Sequence, residues 1–307
     1  MFTDPSLHSS RRAAGGSRHA PLLGAIALCS LAACGASEKT AIADSPAATA
    51  AAASADVAPP VVTITAQNYS YSAPDTIASG MVTLRLVNKG PELHHVQLFR
   101  IAAGRSIADV EMGMKMAKSE SPPPPWLEPV AGPNSPAPGG EQSLTEELTP
   151  GNYAIVCMIP STDGVMHATK GMVKGLTVIP ATGPRVMAPS ADVKVVMSDY
   201  SWDVSPAITA GKHVIQIENN AAQPHEMFIL QLAPGKNVND FLQWFGAQQG
   251  PPPATPMGGI SAMPKGAVGY VSVNLPPGEY ALMCFLPDAK DGKPHLAHGM
   301  VKPFTIS

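Results

Sequence analysis

The sequence predicts an all-β chain built as two tandem β-sandwiches, each with a short helical insertion. The first sign is a duplication. Residues 66–100, AQNYSYSAPDTIASGMVTLRLVNKGPELHHVQLFR, align without a gap on residues 197–231, MSDYSWDVSPAITAGKHVIQIENNAAQPHEMFILQ. Tyr69 matches Tyr200, Gly80 matches Gly211, Asn88 matches Asn219 and His94 matches His225, at a constant offset of 131 (225 − 94). Further on, LTPGNYAIVC (148–157) matches LPPGEYALMC (275–284) at an offset of 127 (284 − 157), so four residues have been lost between. Such self-similarity marks a tandem repeat. The second sign is alternation of apolar and polar residues in MVTLRLVN and HVIQIEN, the period of a half-buried strand. The third is composition: 27 Gly and 33 Pro against 5% aromatic residues suit short strands and turns.

In chain order, residues 1–33 read as a targeting segment. Arg11, Arg12 and Arg18 form a basic start, and PLLGAIALCSLAA forms a short apolar core. The LAAC that follows, ending at Cys34, resembles the lipobox of bacterial lipoproteins, which implies lipidation of Cys34. The resemblance places the chain in a bacterial cell envelope, lipid-anchored on the periplasmic or extracellular side. The small-residue stretch 34–60 reads as a tether. Copy one occupies 61–180, ATGPRVMAPS (181–190) is the linker, and copy two occupies 191–307. Helices are expected near 107–118 and 238–245, each stopped by a proline cluster. Of four cysteines, Cys29 lies in the apolar core of the leader and Cys34 in the lipobox-like LAAC. Cys157 and Cys284 remain, and although exported thiols often pair, these two occupy equivalent places in separate copies.

The chemistry lies in those equivalent places. His94, Cys157, His167 and Met172 in copy one correspond to His225, Cys284, His295 and Met300 in copy two. Cys-to-His spacing is 10 (167 − 157) and 11 (295 − 284), and His-to-Met spacing is 5 in both. One distant His with a Cys–His–Met cluster on a single loop is what a His₂Cys copper site with a weak axial thioether requires. Zinc competes, since it takes Cys and His readily. Methionine is a poor zinc ligand, and its recurrence tips the balance to copper, one ion per copy.

Both copies resemble cupredoxins, the blue-copper family. The segment ENNAAQPHEM (218–227) resembles the family's first-histidine segment, and the Cys…His-x4-Met cluster resembles its ligand loop. The resemblance implies Greek-key sandwiches, one copper ion in each, and one-electron transfer to a redox or copper-exchange protein partner. The Cys-to-His gap is longer than in small carriers and closer to that of copper nitrite reductases. After the first His the family often carries an Asn that ties the two ligand loops; here the residue is His95 or Glu226.

Copper storage, delivery or resistance is the competing reading, and a metal-free structural module the blandest one. An enzyme is disfavoured. Nitrite reductases and multicopper oxidases carry a His directly beside the cysteine, or His-x-His pairs, for further copper ions. Here Val156 and Met158 flank Cys157, Met283 and Phe285 flank Cys284, and no His-x-His occurs. With 14% charged residues and a net charge of −3, nucleic acid is excluded as a partner. Tyr71 and Trp202, at equivalent positions, read as core; His298, where copy one has Lys170, reads as surface; His213 reads as an exposed strand residue. The methionines of EMGMKM (111–116) read as core packing, although Met112 and Met116 would share a helix face apart from Met114.

Overall fold

A computed structural model describes residues 57–117, 123–247 and 249–307. The targeting segment and Cys34 lie outside the described residues. Copy one comprises β1 (Val61–Gln67), β2 (Ser70–Ser72), β3 (Thr76–Ala78), β4 (Gly80–Asn88), β5 (Gln97–Ile101), α1 (Ile107–Met116), β6 (Leu127–Val130), β7 (Glu141–Leu148), β8 (Gly151–Val156) and β9 (Val173–Ile179). Copy two comprises β10 (Val193–Ser198), β11 (Ser201–Ser205), β12 (Gly211–Asn219), β13 (His225–Leu232), α2 (Val238–Ala247), β14 (Ala254–Met263), β15 (Val268–Leu275), β16 (Gly278–Met283) and β17 (Val301–Ile306). The chain is thus mostly β. The sequence offsets recur in the elements: β4 and β12 start 131 residues apart (211 − 80), β8 and β16 start 127 apart (278 − 151).

Antiparallel pairing lays β5 beside β8 and β8 beside β9, and likewise β13 beside β16 and β16 beside β17. The apolar runs of β8 and β16 are buried on both faces. Tyr153, Ile155 and Cys157 enter the core of copy one with Leu84, Leu98 and Met172. The alternate residues Ala154 and Val156 meet Val110 and Met114 of α1. In copy two, Tyr280, Leu282 and Cys284 face inward while Ala281 and Met283 pack with Phe241 of α2. Period-two geometry therefore sends each cysteine to the inner face, the second inward side chain after a buried tyrosine.

The sequence predicts two sandwiches joined by a linker, but one eight-stranded sheet runs through both copies, in the order β11-β10-β12-β15-β7-β4-β1-β2. Its two halves mirror each other about the β7–β15 seam. There Leu144 faces Val271, its own equivalent 127 residues on (271 − 144). Pro133 likewise faces Ile260 (260 − 133 = 127). Equivalent residues meeting in antiparallel fashion define a local twofold, the internal counterpart of an isologous dimer. The cores follow suit: Ala131 and Leu144 of copy one are buried in the copy-two core.

Two expectations need correction. His213 is not exposed: its side chain is 8% accessible, held by Asp192 and, through Nε2, 2.8 Å from the Thr209 carbonyl. Of the EMGMKM methionines only Met114 packs in the core; Met112 and Met116 are 64% and 78% exposed, because they share the solvent face of α1. The core reading of Tyr71 and Trp202 holds: Tyr71, half-buried, packs against the copy-one core with its hydroxyl donating to the His95 carbonyl, and Trp202 is buried in the copy-two core.

Candidate metal centres

The strand pairings place the predicted residues together. His94 lies just before β5, Cys157 directly after β8, and His167 and Met172 in the loop leading to β9. Since Gln97 pairs with Val156 and Val156 with Val173, the start of β5, the end of β8 and the start of β9 are neighbours. In copy two His225 opens β13, Cys284 follows β16, His295 begins a 3₁₀ turn (His295–His298), and Met300 precedes β17. The loop wiring is the same in both. Met172 N–H donates to the His167 carbonyl (2.9 Å) and Cys157 N–H to the Met172 carbonyl (3.2 Å); the copy-two counterparts are 3.1 and 3.3 Å.

All eight of these side chains are 0% exposed. His94, Cys157 and His167 form one triad whose donor atoms lie within 4.8 Å of one another, and His225, Cys284 and His295 form another. In the first, the two Nδ1 atoms are 3.1 Å apart and Cys157 Sγ is 3.4 Å from His167 Nδ1. In the second, Cys284 Sγ is 3.8 Å from His225 Nδ1 and 3.3 Å from His295 Nδ1. Both thiols are free. Each methionine is buried in the same core cluster as its cysteine.

In each copy a carboxylate holds one of the two imidazoles. His167 Nε2 donates to Glu92 Oε2 at 2.8 Å, and His225 Nε2 to Asp199 Oδ1 at 3.0 Å. A proton fixed on Nε2 leaves the Nδ1 lone pair facing the thiol. The held histidine differs between copies. At the Glu92 position copy two has Gln223 (223 − 92 = 131), and its acid is instead Asp288, where copy one has Ser161 (288 − 161 = 127). Asp288 Oδ2 accepts from the Gln223 amide (2.9 Å) and the Tyr200 hydroxyl, and stands 3.8 Å from His295 Nε2. Tyr69 and Tyr200 roof the two sites, with ring centroids 5.2 Å from His167 and 5.7 Å from His295. Both adopt positive φ, 58° and 63°, a strained state for an aromatic residue and one that clusters at functional sites. Lys170 covers Tyr69 at 4.7 Å, and His298 lies 5.1 Å from Tyr200.

The residue after the first histidine ties the two ligand segments in both copies, despite its changed identity. Met158 N–H donates to His95 Nε2, and Phe285 N–H to Glu226 Oε1, each at 2.9 Å. Asn88 and Asn219 shape the approach to it: each accepts from a backbone N–H two residues on and donates to a carbonyl four residues on, at 2.9–3.0 Å.

The donor set fits a borderline-to-soft cation. Burial pushes His94 and His295 down to about 4 and lowers His225, so these rings stay neutral and ligand-competent at pH 7. Burial raises the Cys157 thiol to about 11 and that of Cys284 as well, so a cation must displace the thiol proton. Two imidazoles, a thiolate and a nearby thioether suit copper better than zinc, magnesium or calcium. A third grouping, Asp288, Asp291 and His298, belongs to the outer surround of site two and offers no thiolate.

Sequence reasoning missed the outer residues. Tyr69 and Tyr200 were visible as a matched pair, but nothing in the pattern placed them beside the candidate ligands His167 and His295. Glu92, Asp199 and Asp288 have no matching acid in the other copy and so gave no repeat signal.

Neither a family model nor a curated protein matches the chain. Among solved structures it is similar to reduced auracyanin from the photosynthetic bacterium Roseiflexus castenholzii, at 23% identity over 40% of this chain and 100% of that one, with a TM-score of 0.27. It is also similar to a multicopper oxidase, at 16% identity over 80% of this chain and 88% of that one, TM-score 0.23. A copper-containing nitrite reductase from Thermus scotoductus aligns at 12% identity over 80% of this chain and 61% of that one, TM-score 0.22. Likenesses of this size leave the reading to the donors themselves.

Proposed function

We propose that the chain is a cupredoxin-like protein, two Greek-key sandwiches fused through one sheet, that binds one copper ion per copy and transfers single electrons. One observation carries this reading: two equivalent buried triads of two imidazole Nδ1 atoms and a free thiol, each with a methionine on the same loop. Bound there, copper supplies one-electron exchange between Cu(I) and Cu(II). The chain's own residues do the rest. Glu92 and Asp199 hold imidazoles in the ligating tautomer, His95 and Glu226 lock the two ligand segments together, and Tyr69 and Tyr200 cover the site. A rigid, covered donor set limits rearrangement between oxidation states. It also retains the ion, which favours a carrier over a storage or delivery protein. The flanking residues of both cysteines, which supply no histidine for further copper ions, favour a carrier over an oxidase or nitrite reductase.

We further propose anchoring through lipidated Cys34 on the periplasmic or extracellular side of a bacterial membrane, which the LAAC sequence supports, and a redox or copper-exchange protein as partner. The test is a copper titration read by metal count and visible spectrum. Two ions per chain and intense thiolate-to-copper bands are expected, with Cys157→Ser and Cys284→Ser each removing one band. Retention of the full spectrum in both variants would refute the ligand assignment.

A further inference from the structure

The local twofold makes every contact across the seam appear in two versions, so a contact present in only one of them stands out. Asn134 of copy one and Ser261 of copy two are equivalents (261 − 134 = 127). Their backbones obey the symmetry: Asn134 N–H donates to the Gly259 carbonyl (3.1 Å) and Ser261 N–H to the Gly132 carbonyl (2.8 Å). Their side chains do not. Asn134 Nδ2 donates to Glu226 Oε2 at 3.0 Å, reaching the residue next to ligand His225. Ser261 Oγ, fully buried, makes no hydrogen bond, and the position matching Glu226 holds His95 (226 − 95 = 131).

We infer that Asn134 is a positioning residue for the donor set of the other copy. Glu226 is the strut of site two. One carboxylate oxygen takes the N–H of Phe285, beside Cys284, at 2.9 Å, and its own N–H lies 3.5 Å from Cys284 Sγ. Asn134 holds the remaining oxygen. It can do so rigidly because it is 3% exposed, its Oδ1 accepts from Ser135 N–H at 2.8 Å, and its Nδ2 also reaches the Ile260 carbonyl at 3.3 Å. The segment carrying it is pinned to copy one at Val96, whose N–H donates to the Pro133 carbonyl at 3.0 Å. Gly132 lies so close to the Val96 carbonyl that an added Cβ would stand 2.2 Å from it. The strut of site two is therefore held by a side chain of the other copy. Among the described residues no copy-two side chain hydrogen-bonds His95, the strut of site one. The side-chain contact across the seam there is made by Gln97, whose Nε2 donates to the Ala262 carbonyl at 3.0 Å. The amide adds its own inequality to the differing struts, His95 and Glu226, and the differing carboxylates, Glu92 and Asp199, of two sites with the same donor types.

This rests on the copper reading, and the test separates the two. Full-length chains carrying Cys157→Ser retain site two alone; those carrying Cys284→Ser retain site one alone. Copper affinity, by competition with a chelator, and the thiolate-to-copper band are measured with and without Asn134→Ser. Loss of a residue that orients ligands from outside typically weakens metal binding about 10- to 100-fold. That loss, with a shifted band, is expected at site two, with site one unchanged. On a Glu226→His background, which gives site two the strut of site one, Asn134→Ser should have no further effect; this closes a double-mutant cycle. Equal loss at both sites would make Asn134 merely structural and overturn the inference, as would two loaded sites indifferent to it. A wild-type chain that takes up no copper would overturn the copper reading and this inference with it.

Discussion

Glu146→Gln should flatten the pH dependence of stability. Glu146 sits on β7 between Leu144, buried in the copy-two core, and Leu148, buried in the copy-one core. These three side chains share one face of the strand. Glu146 is 4% exposed, and its Oε1 has no hydrogen-bond partner. Burial alone pushes its carboxyl well above the usual carboxylate range. The folded protein therefore keeps a proton that the unfolded chain releases above about pH 4.3. Stability is greatest below that pH and falls as pH rises from the unfolded value toward the folded one. The slope is about 1.4 kcal/mol per pH unit, or about 3–6 °C in Tm per unit for a chain of this size. Glutamine keeps the shape without the titration, so any cost of its amide is the same at every pH. The assay is thermal unfolding of the metal-free protein from pH 5 to 8, wild type minus variant, which cancels all other titrating groups. A difference curve without slope would mean that the carboxyl is solvated and that the seam between the cores is not closed there.

Other outcomes are equally specific. Gly132→Ala and Gly259→Ala would each drive a Cβ into a carbonyl oxygen, 2.2 Å from Val96 O and 1.9 Å from Met227 O. Overpacking costs about 1–3 kcal/mol, and Gly259, at φ +129°, should lose about 1–3 kcal/mol more through backbone strain; equal urea midpoints for the two variants would contradict this. Tyr153→Phe and Tyr280→Phe remove hydroxyls that donate to the Thr149 and Pro276 carbonyls at 2.8 and 2.6 Å, and each should cost about 0.5–1.5 kcal/mol in chemical denaturation. Glu92→Gln should weaken copper at site one, and Asp199→Asn at site two, by about 10- to 100-fold in chelator competition. Unchanged affinities would show that the imidazoles orient without their carboxylates.

The duplication made much of this legible, because two copies of a pattern carry their own control. The strand alternation of β4 and β12, both helices, and the recurrence of His, Cys, His and Met are local or periodic features, and they survive in one dimension. The strands that join the copies were not recognised. β7, EQSLTEEL, reads as a polar stretch, yet Gln142, Thr145 and Glu146 are buried because the other copy and the neighbouring strands cover them. Pattern reasoning assumes that polar residues face water, and at an internal seam that assumption fails.

The sequence by itself determined the repeat, the strand-rich architecture and the identity of the candidate ligands, since each follows from residue type and spacing. Only the tertiary structure decided that one sheet passes through both copies, which histidine each carboxylate holds, and that Asn134 reaches across to Glu226. Those contacts join residues far apart in the chain, and their partners are chosen by the packing of whole sheets rather than by any local preference.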